Sequence, residues 1–512
     1  MPNFLAYLVF FSWPLVVYII FSNRPLVPAL AWSMVLGYIL LPGRVAIDLP
    51  AFPSIGRYEI TTLSTAIMCL VKTRQETLRW KPHPTGQTLQ SQSYQNTRSS
   101  KINQFIWFLL FTTMISPLFT VLNNSDSFYS GPQFIPGLRI YDAVSVMAST
   151  FFSVLPFVIG KRYLTTTESH LTLLKVICFA MLGYSILALW EVRMSPQLNR
   201  TIYGYFPHSF GQHIRADGFR PVVFFDHGLS LGLFLSMSLL SSITVWRFKR
   251  ESDSNAALWI VSGIWLLLTL ILAKTLAVLV VSLLLMPFAI LLGVRGQLVL
   301  AAGLSAVVLL YPMLRGAGYI PTDSIYQIAA DHDEARAQSL KYRLDNEDNL
   351  LERANLRPIT GWGSWGRNHI YDDTTGRQVS VTDGMWIIII GMFGWVGYSA
   401  RFGLLTIPVM ILALNRKKLD VSIVTSGLAL VLALNLVDLL PNAALTPITW
   451  LLAGALAGRC VHQNDPVSSN LREDRTNLQR QGIDKLNQSD NGDSLAPAEL
   501  RPVNLKQRRK RQ

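Results

Sequence analysis

The stretch ALWIVSGIWLLLTLILAKTLAVLVVSLLLMPFAILLG, residues 257–293, decides the fold. Its one charged residue is Lys274, which separates the apolar runs 257–273 and 275–293. A helix needs about 20 mostly apolar residues to cross a bilayer, because lipid offers no partner to an exposed backbone N–H or C=O. Two such runs joined by a lysine therefore read as a pair of crossings. Working outward, the same criterion gives further spans at 4–22, 25–42, 58–72, 104–122, 140–160, 171–190, 221–246, 297–315, 384–412, 420–439 and 446–459. The expected fold is an all-α polytopic integral membrane protein with about 13 transmembrane helices (11–13). The span 58–72 is weak because it is short and contains Thr61, Thr62 and Ser64. The span 384–412 is broken by Gly391, Gly394 and Gly397 and contains Arg401. It reads as one kinked helix or as two shorter pieces, which would reverse everything after it.

Composition agrees. Of 512 residues half are apolar and 15% charged, with mean hydropathy +0.33, against roughly 25% charged in a soluble domain. A soluble multidomain enzyme and extensive disorder are both excluded. Cys69, Cys178 and Cys460 are far apart and form no C-x-x-C pair, so neither a disulfide framework nor a zinc module is expected. The formal charge of +14 ordinarily suggests nucleic acid or an anionic surface. Here the loops 73–102, 161–169, 247–255 and 416–420, Arg24, Arg295 and the tail from Arg459 carry the whole excess. If each span crosses once, all of these lie on one side, as the positive-inside rule requires of the cytoplasm. Basicity is then a topology signal, and nucleic acid drops out as a partner. The N-terminus lies outside. Met1-Pro2-Asn3 carries no cationic side chain and no small-residue cleavage site follows, so the first span does not read as a signal peptide.

The chain divides into an N-terminal transmembrane bundle (1–315), a large extracytoplasmic loop (316–383), C-terminal transmembrane helices (384–459) and a basic cytoplasmic tail (460–512). From 464 the tail is rich in Asn, Gln, Ser, Arg and Asp and reads as disordered. Its KQRRKRQ ending suits anionic lipid or simply marks topology. The loops 191–220 and 316–383 are long enough to do chemistry. Counted from Arg315, the second holds eleven acidic and eight basic residues, together with Tyr326, Tyr342, Trp362, Trp365 and Tyr371, which argue for order.

Several motifs compete for function. Gly361-Trp362-Gly363-Ser364-Trp365-Gly366 matches G-x-G-x-x-G, but no strand precedes it and no helix opens within it, so a nucleotide fingerprint is disfavoured. A tight turn presenting two indoles fits better. Trp362 and Trp365 then stack on sugar rings or pack the loop onto the helices. Arg215 and Arg220 stand where an external loop enters a span, followed by Asp226 and His227. Guanidinium binds phosphate bidentately and stays charged; interfacial snorkelling is the plain reading. The segment 340–353 carries a helical stripe of Leu340, Leu344 and Leu351, with Arg343 and Arg353 among its charges. Asp331-His332-Asp333-Glu334 resembles a metal cluster only in composition, since neighbours on a helix cannot all face one ion. Asp383 stands at the outer mouth of the next span, as a helix cap or a base. His208, His213 and His369 have no assignable partner.

Taken in order, these elements resemble the O-antigen ligase and O-antigen polymerase superfamily, bacterial envelope glycosyltransferases with one large external loop late in the chain. The resemblance runs over about 210–400. It rests on R-x-x-G-F (Arg215 to Phe219), loop arginines (Arg343, Arg353), a proline before a G-W-G turn (Pro358, Gly361 to Gly363) and a glycine-rich span (Gly391 to Gly397). It implies transfer of glycan from an undecaprenyl-diphosphate-linked donor to a glycan or lipid acceptor at the outer face of the plasma membrane. Arg215, Arg220, Arg343 and Arg353 would bind the diphosphate, with no metal and no cofactor. Val381-Thr382-Asp383-Gly384 stands where the family commonly has a His-Asn pair, so Asp383 is expected as the base, or the activity differs. The rivals are a transporter or flippase for lipid-linked sugar and a non-catalytic partner of a polysaccharide assembly complex.

Overall fold

A computed structural model describes residues 1–48, 52–79, 101–215, 218–250, 255–331 and 334–462. The tail from 463, most of the loop 73–102, and His332 and Asp333 lie outside the described residues.

Each expected span coincides with a helix. In order these are α1 (Phe4–Asn23), α2 (Leu26–Leu40), α3 (Arg57–Arg79), α4 (Lys101–Leu122), α5 (Ile140–Tyr163) and α6 (Thr167–Met194). After the short α7 (Leu198–Tyr203) come α8 (Gly228–Lys249), α9 (Ala256–Leu272), α10 (Leu276–Leu291) and α11 (Val294–Gly316). The large loop holds α12 (Thr322–Ala330) and α13 (Glu334–Asn355), and α14 (Met385–Leu414), α15 (Ile423–Asp438) and α16 (Pro447–Val461) close the bundle. Two-residue and three-residue hairpins, β1 (Phe128–Ser130) with β2 (Gln133–Ile135) and β3 (Ile214–Arg215) with β4 (Gly218–Phe219), are the paired strands among the described residues. Seven helices are long and apolar enough to cross a membrane, and α2, α9, α10, α15 and α16 are shorter apolar helices. The chain is thus built as an all-α membrane protein.

Burial follows the surroundings each helix meets. All of α16 is buried and nearly all of α8 and α15, so their all-round apolarity is spent on other helices. By contrast α1 exposes Phe4, Leu8, Phe11 and Leu15, and α9 exposes Leu258, Val261, Ile264 and Leu268. Apolar surface on this scale belongs against lipid or a partner. The closest helix approach uses a small-residue face. A Cβ on Gly160 of α5 would stand 2.5 Å from Leu451 O, and one on Gly458 of α16 would stand 2.6 Å from Lys161 O. Gly454 lies one turn before Gly458, so a GxxxG face lets the two backbones touch.

Hydrogen bonds tie loops and helix ends to one another: Asn3 to Tyr203, Arg44 to Pro207 and Arg357 to Asp126, and Lys72 to Phe21 and Arg24, Arg247 to Ala289 and Arg459 to Leu419.

Two spans depart from regular helix. The run 221–246 is helical only from Gly228. The preceding backbone is captured instead: Val222 and Val223 N–H each donate to Glu191 Oε2 at 2.7 Å, and Phe224 N–H donates to the Tyr184 hydroxyl at 2.9 Å. Val223 is held at φ +52°, a strained position for a β-branched residue. The expected kink of α14 falls at Gly394, with φ +62° and ψ −167°. The G-W-G turn plugs this break. Trp362 and Gly363 N–H donate to the carbonyls of Gly391 and Met392 at 2.8 and 2.9 Å, while Trp395 N–H donates to Pro358 O at 2.7 Å. Non-helical backbone at membrane depth is tolerable only where protein satisfies it, and here the preceding loop does so.

Candidate functional site

Arg343 and Asp383, 40 residues apart, meet at the mouth of α14: Arg343 Nε stands 3.3 Å from Asp383 Oδ2, and both side chains remain accessible. Helix α13 places Arg343 because its apolar stripe packs inward, burying Leu350, Leu351 and Ala354. Its buried polar residues are the unexpected part. Arg315, at the end of α11, donates to Asp348 at 2.8 Å and to Leu344 O at 3.3 Å, clamping α13 to the bundle. Glu347, one turn after Arg343, is buried beside Arg315, Trp386 and Tyr311. Burial pushes its carboxyl up to about 7, against the pull of Arg315.

Beside the pair opens a cleft of about 570 Å³, walled by Asn346, Asn349, Glu352, Arg353, Ile370 and Ser380. Arg353 is half-engaged. Its Nε and Nη2 donate to Arg367 O at 3.2 and 2.8 Å, and its guanidinium lies 4.3 Å from the Trp362 ring centroid. Arg357 lies 4.6 Å from the same ring, and the indole N–H donates to Arg353 O at 2.7 Å. The Trp362 indole is therefore committed to holding arginines. Trp365, at φ +56° and 57% exposed, is the free aromatic. Arg357 and the fully buried Arg367 tie this loop to the β1–β2 hairpin through Asp126, Asn124 and Pro136 O. His369 sits near Gln378, its basicity lowered by burial and by Arg353.

The second cationic group lies at the start of α8. Arg215 is exposed on β3, and its carbonyl accepts from Lys274 Nζ at 3.2 Å. Arg220 is 8% exposed, donates to Lys274 O at 3.2 Å, and is lowered to about 10 by burial and then by Arg215. Asp226 pairs with buried Arg57, which also donates to Phe224 O at 3.1 Å. His227 caps α8, its Nδ1 accepting from Leu229 N–H at 3.1 Å. His208 and His213 gather around it, the three rings in contact with one another. Burial and Arg220 hold His213 at about 4; burial and His213 hold His227 at about 4. Both are neutral near pH 7.

An apolar pocket of about 170 Å³ lies between the two groups in connectivity. Leu233, Ala277, Val278, Leu434, Asp438 and Pro441 line it. Lys274 leads from Arg220 to Ala277, and Leu439 and Asn442 O accept from Met385 N–H beside Asp383.

Sequence reasoning named Arg215, Arg220, Arg343 and Arg353 as one diphosphate site with Asp383 as base; the structure brings Arg343 and Asp383 together and holds Arg215 and Arg220 in a different group, beside Lys274. Sequence reasoning missed Glu347, Arg315, Arg357 and Arg367. Their signal, charge repeated at helical spacing or beside prolines and glycines, is that of any solvated helix or turn. Of the Asp331–Glu334 run, His332 and Asp333 lie outside the described residues. No protein-family model matches the chain, and no curated protein matches it.

Proposed function

We propose that the chain is a glycosyltransferase of the O-antigen ligase and polymerase type, acting on an undecaprenyl-diphosphate-linked glycan at the outer face of a bacterial plasma membrane. One observation carries the reading: a guanidinium and a carboxylate from distant segments meet, both accessible, at the mouth of a broken membrane helix and near a cleft of mixed polar and apolar lining. In this reading the twelve apolar helices and α3 cross the bilayer, with the large loop outside and the basic tail in the cytoplasm.

The chemistry then follows. The donor's anomeric C–O bond breaks with inversion, and the electron pair leaves with the diphosphate. An acceptor hydroxyl oxygen forms the new bond, and its proton passes to the Asp383 carboxylate. Arg343 neutralises the departing diphosphate, and an arriving diphosphate competes with Asp383 for the guanidinium, freeing the carboxylate for the acceptor. Arg353 walls the cleft, Trp365 offers the sugar-stacking face, and Arg215 with Arg220 gives a second phosphate contact. Arginines supply the charge, so the step is written without metal or cofactor.

The test is complementation of a deletion strain followed by glycolipid profiling. Arg343→Ala and Asp383→Ala are each expected to lower product at least 100-fold at unchanged membrane protein level. Normal polymer or ligated glycan from both would sink the reading. A transporter for lipid-linked sugar draws on Arg401, a buried arginine inside α14 whose Nη1 has no hydrogen-bond partner. It predicts that the deletion strain keeps its lipid-linked glycan on the cytoplasmic leaflet, whereas loss of a transferase leaves it on the outer leaflet.

A further inference from the structure

Three imidazoles converge at the start of α8. His208 precedes a single 3-10 turn (Phe210–His213), His213 ends it, and His227 is the cap of α8. One ligand nitrogen from each lies within 4.8 Å of the other two. Ring centroids are 4.9 Å apart for His213 and His227, 5.0 Å for His208 and His227, and 6.3 Å for His208 and His213. His213 is wholly buried, and neither of its ring nitrogens has a hydrogen-bond partner. A buried polar group in that state requires a reason, such as an ion or a water. Among the described residues the neighbouring carboxylate, Asp226, is paired with Arg57.

We propose that His208, His213 and His227 form a binding site for one borderline transition-metal ion of the zinc type, with a fourth position left open. The donor set chooses the ion: imidazole nitrogen suits zinc, copper, nickel and cobalt, whereas magnesium and calcium require oxygen. Geometry asks for a modest closure. Nitrogens at about 2.0–2.1 Å from a tetrahedral zinc are roughly 3.4 Å from one another, so the rings move inward by about 1 Å. His208 is exposed and can supply much of that movement. Whichever nitrogen of His227 binds, Leu229 N–H loses its acceptor, so metal occupancy is coupled to the capping of α8. Arg220 and Arg215 oppose a bare cation here and favour an anionic fourth ligand. The proposal stands apart from the glycosyltransferase reading, because none of the three histidines has a role in that reading.

The experiment uses the full chain purified in detergent with a histidine-free tag, stripped with chelator and titrated with Zn2+ or Co2+ alone. The wild type is expected to bind about one Zn2+ per chain and to give the visible absorption of low-symmetry Co2+. His208→Ala and the double variant His208→Ala/His227→Ala are expected to weaken binding at least 100-fold and to abolish the absorption. Both spare the buried His213, and the metal-free thermal midpoint shows whether they fold. Zinc should raise that midpoint in the wild type alone. Equal zinc binding by wild type and double variant, or no binding by the wild type, would overturn the proposal. If the variants do not fold, the wild-type stoichiometry and Co2+ spectrum decide it.

Discussion

Burial carries the Glu347 carboxyl from 4.5 to about 7, and that fixes its effect on stability with pH. Between these values the folded chain holds a proton that the unfolded chain has lost. Stability is therefore greatest below about 4.5, falls as pH rises through 7, and stays lowered above it. The full effect is up to about 3 kcal/mol, at 1.36 kcal/mol per unit. Glu347→Gln should flatten the thermal midpoint between pH 5 and 8, read in detergent at one scan rate; an unchanged pH slope would contradict this. Arg401 poses a related question, because it is buried with one hydrogen bond, to Thr150 at 3.1 Å, and lies 3.6 Å from the Phe393 ring centroid. Replacing a desolvated charge by an apolar chain of like length is often neutral or stabilising. Arg401→Met should thus leave the midpoint unchanged or raised. If glycan product is lost at the same time, Arg401 is kept for function. Arg343 and Asp383 were legible as candidates because ionisable residues at a span boundary are scarce. Their mutual contact was not, because it depends on how α13 packs. Trp362 reads in sequence as either a sugar-stacking face or a packing residue, and the placement of Arg353 and Arg357 over its ring makes it the latter.

At the scale of elements, each of the thirteen expected spans coincides with a helix, twelve of them apolar, because a helix pairs the backbone groups of an apolar run within itself. The start of α8 was misread by seven residues. Hydropathy scores Pro221 to Phe225 as span, yet the distant Glu191 carboxylate takes the N–H groups of Val222 and Val223, and the Tyr184 hydroxyl takes that of Phe224. The G-W-G turn and the glycine-rich span were both legible as irregular, but not as halves of one joint. That joint makes a sharp prediction. A Cβ on Gly361 would stand 2.5 Å from Gly394 N, and both glycines have positive φ. Gly361→Ala and Gly394→Ala should each lower the thermal midpoint sharply, by at least about 3 kcal/mol of stability when the strain and overpacking costs are added. Gly183 in α6 has nothing within 4 Å of its added Cβ, so Gly183→Ala should be neutral or slightly stabilising. Equal effects from the two kinds of site would remove the joint from the account.

For the whole molecule, sidedness is the property that everything else depends on. Cys69, Cys178 and Cys460 are free and buried, so the native chain should resist a membrane-impermeant maleimide. Tyr342→Cys, at an exposed position of α13, should label in intact cells. Reporter fusions at 90 and 500 should both read cytoplasmic, and one at 340 should read external. A cytoplasmic 340 would remove the external site altogether.

The plugged break in α14 also bears on how the chain is made. As α14 leaves the insertion machinery, the carbonyls of Gly391 and Met392 have no helical partner, and each unsatisfied group in hydrocarbon costs several kcal/mol. On the proposed topology their donors, Trp362 and Gly363, reach the outer face before α14 enters the membrane. Export of the loop, its folding, and retention of the helix are therefore one event. A substitution in the loop that misplaces 358–363 should surface as failed insertion and rapid proteolysis, long before any question of activity arises.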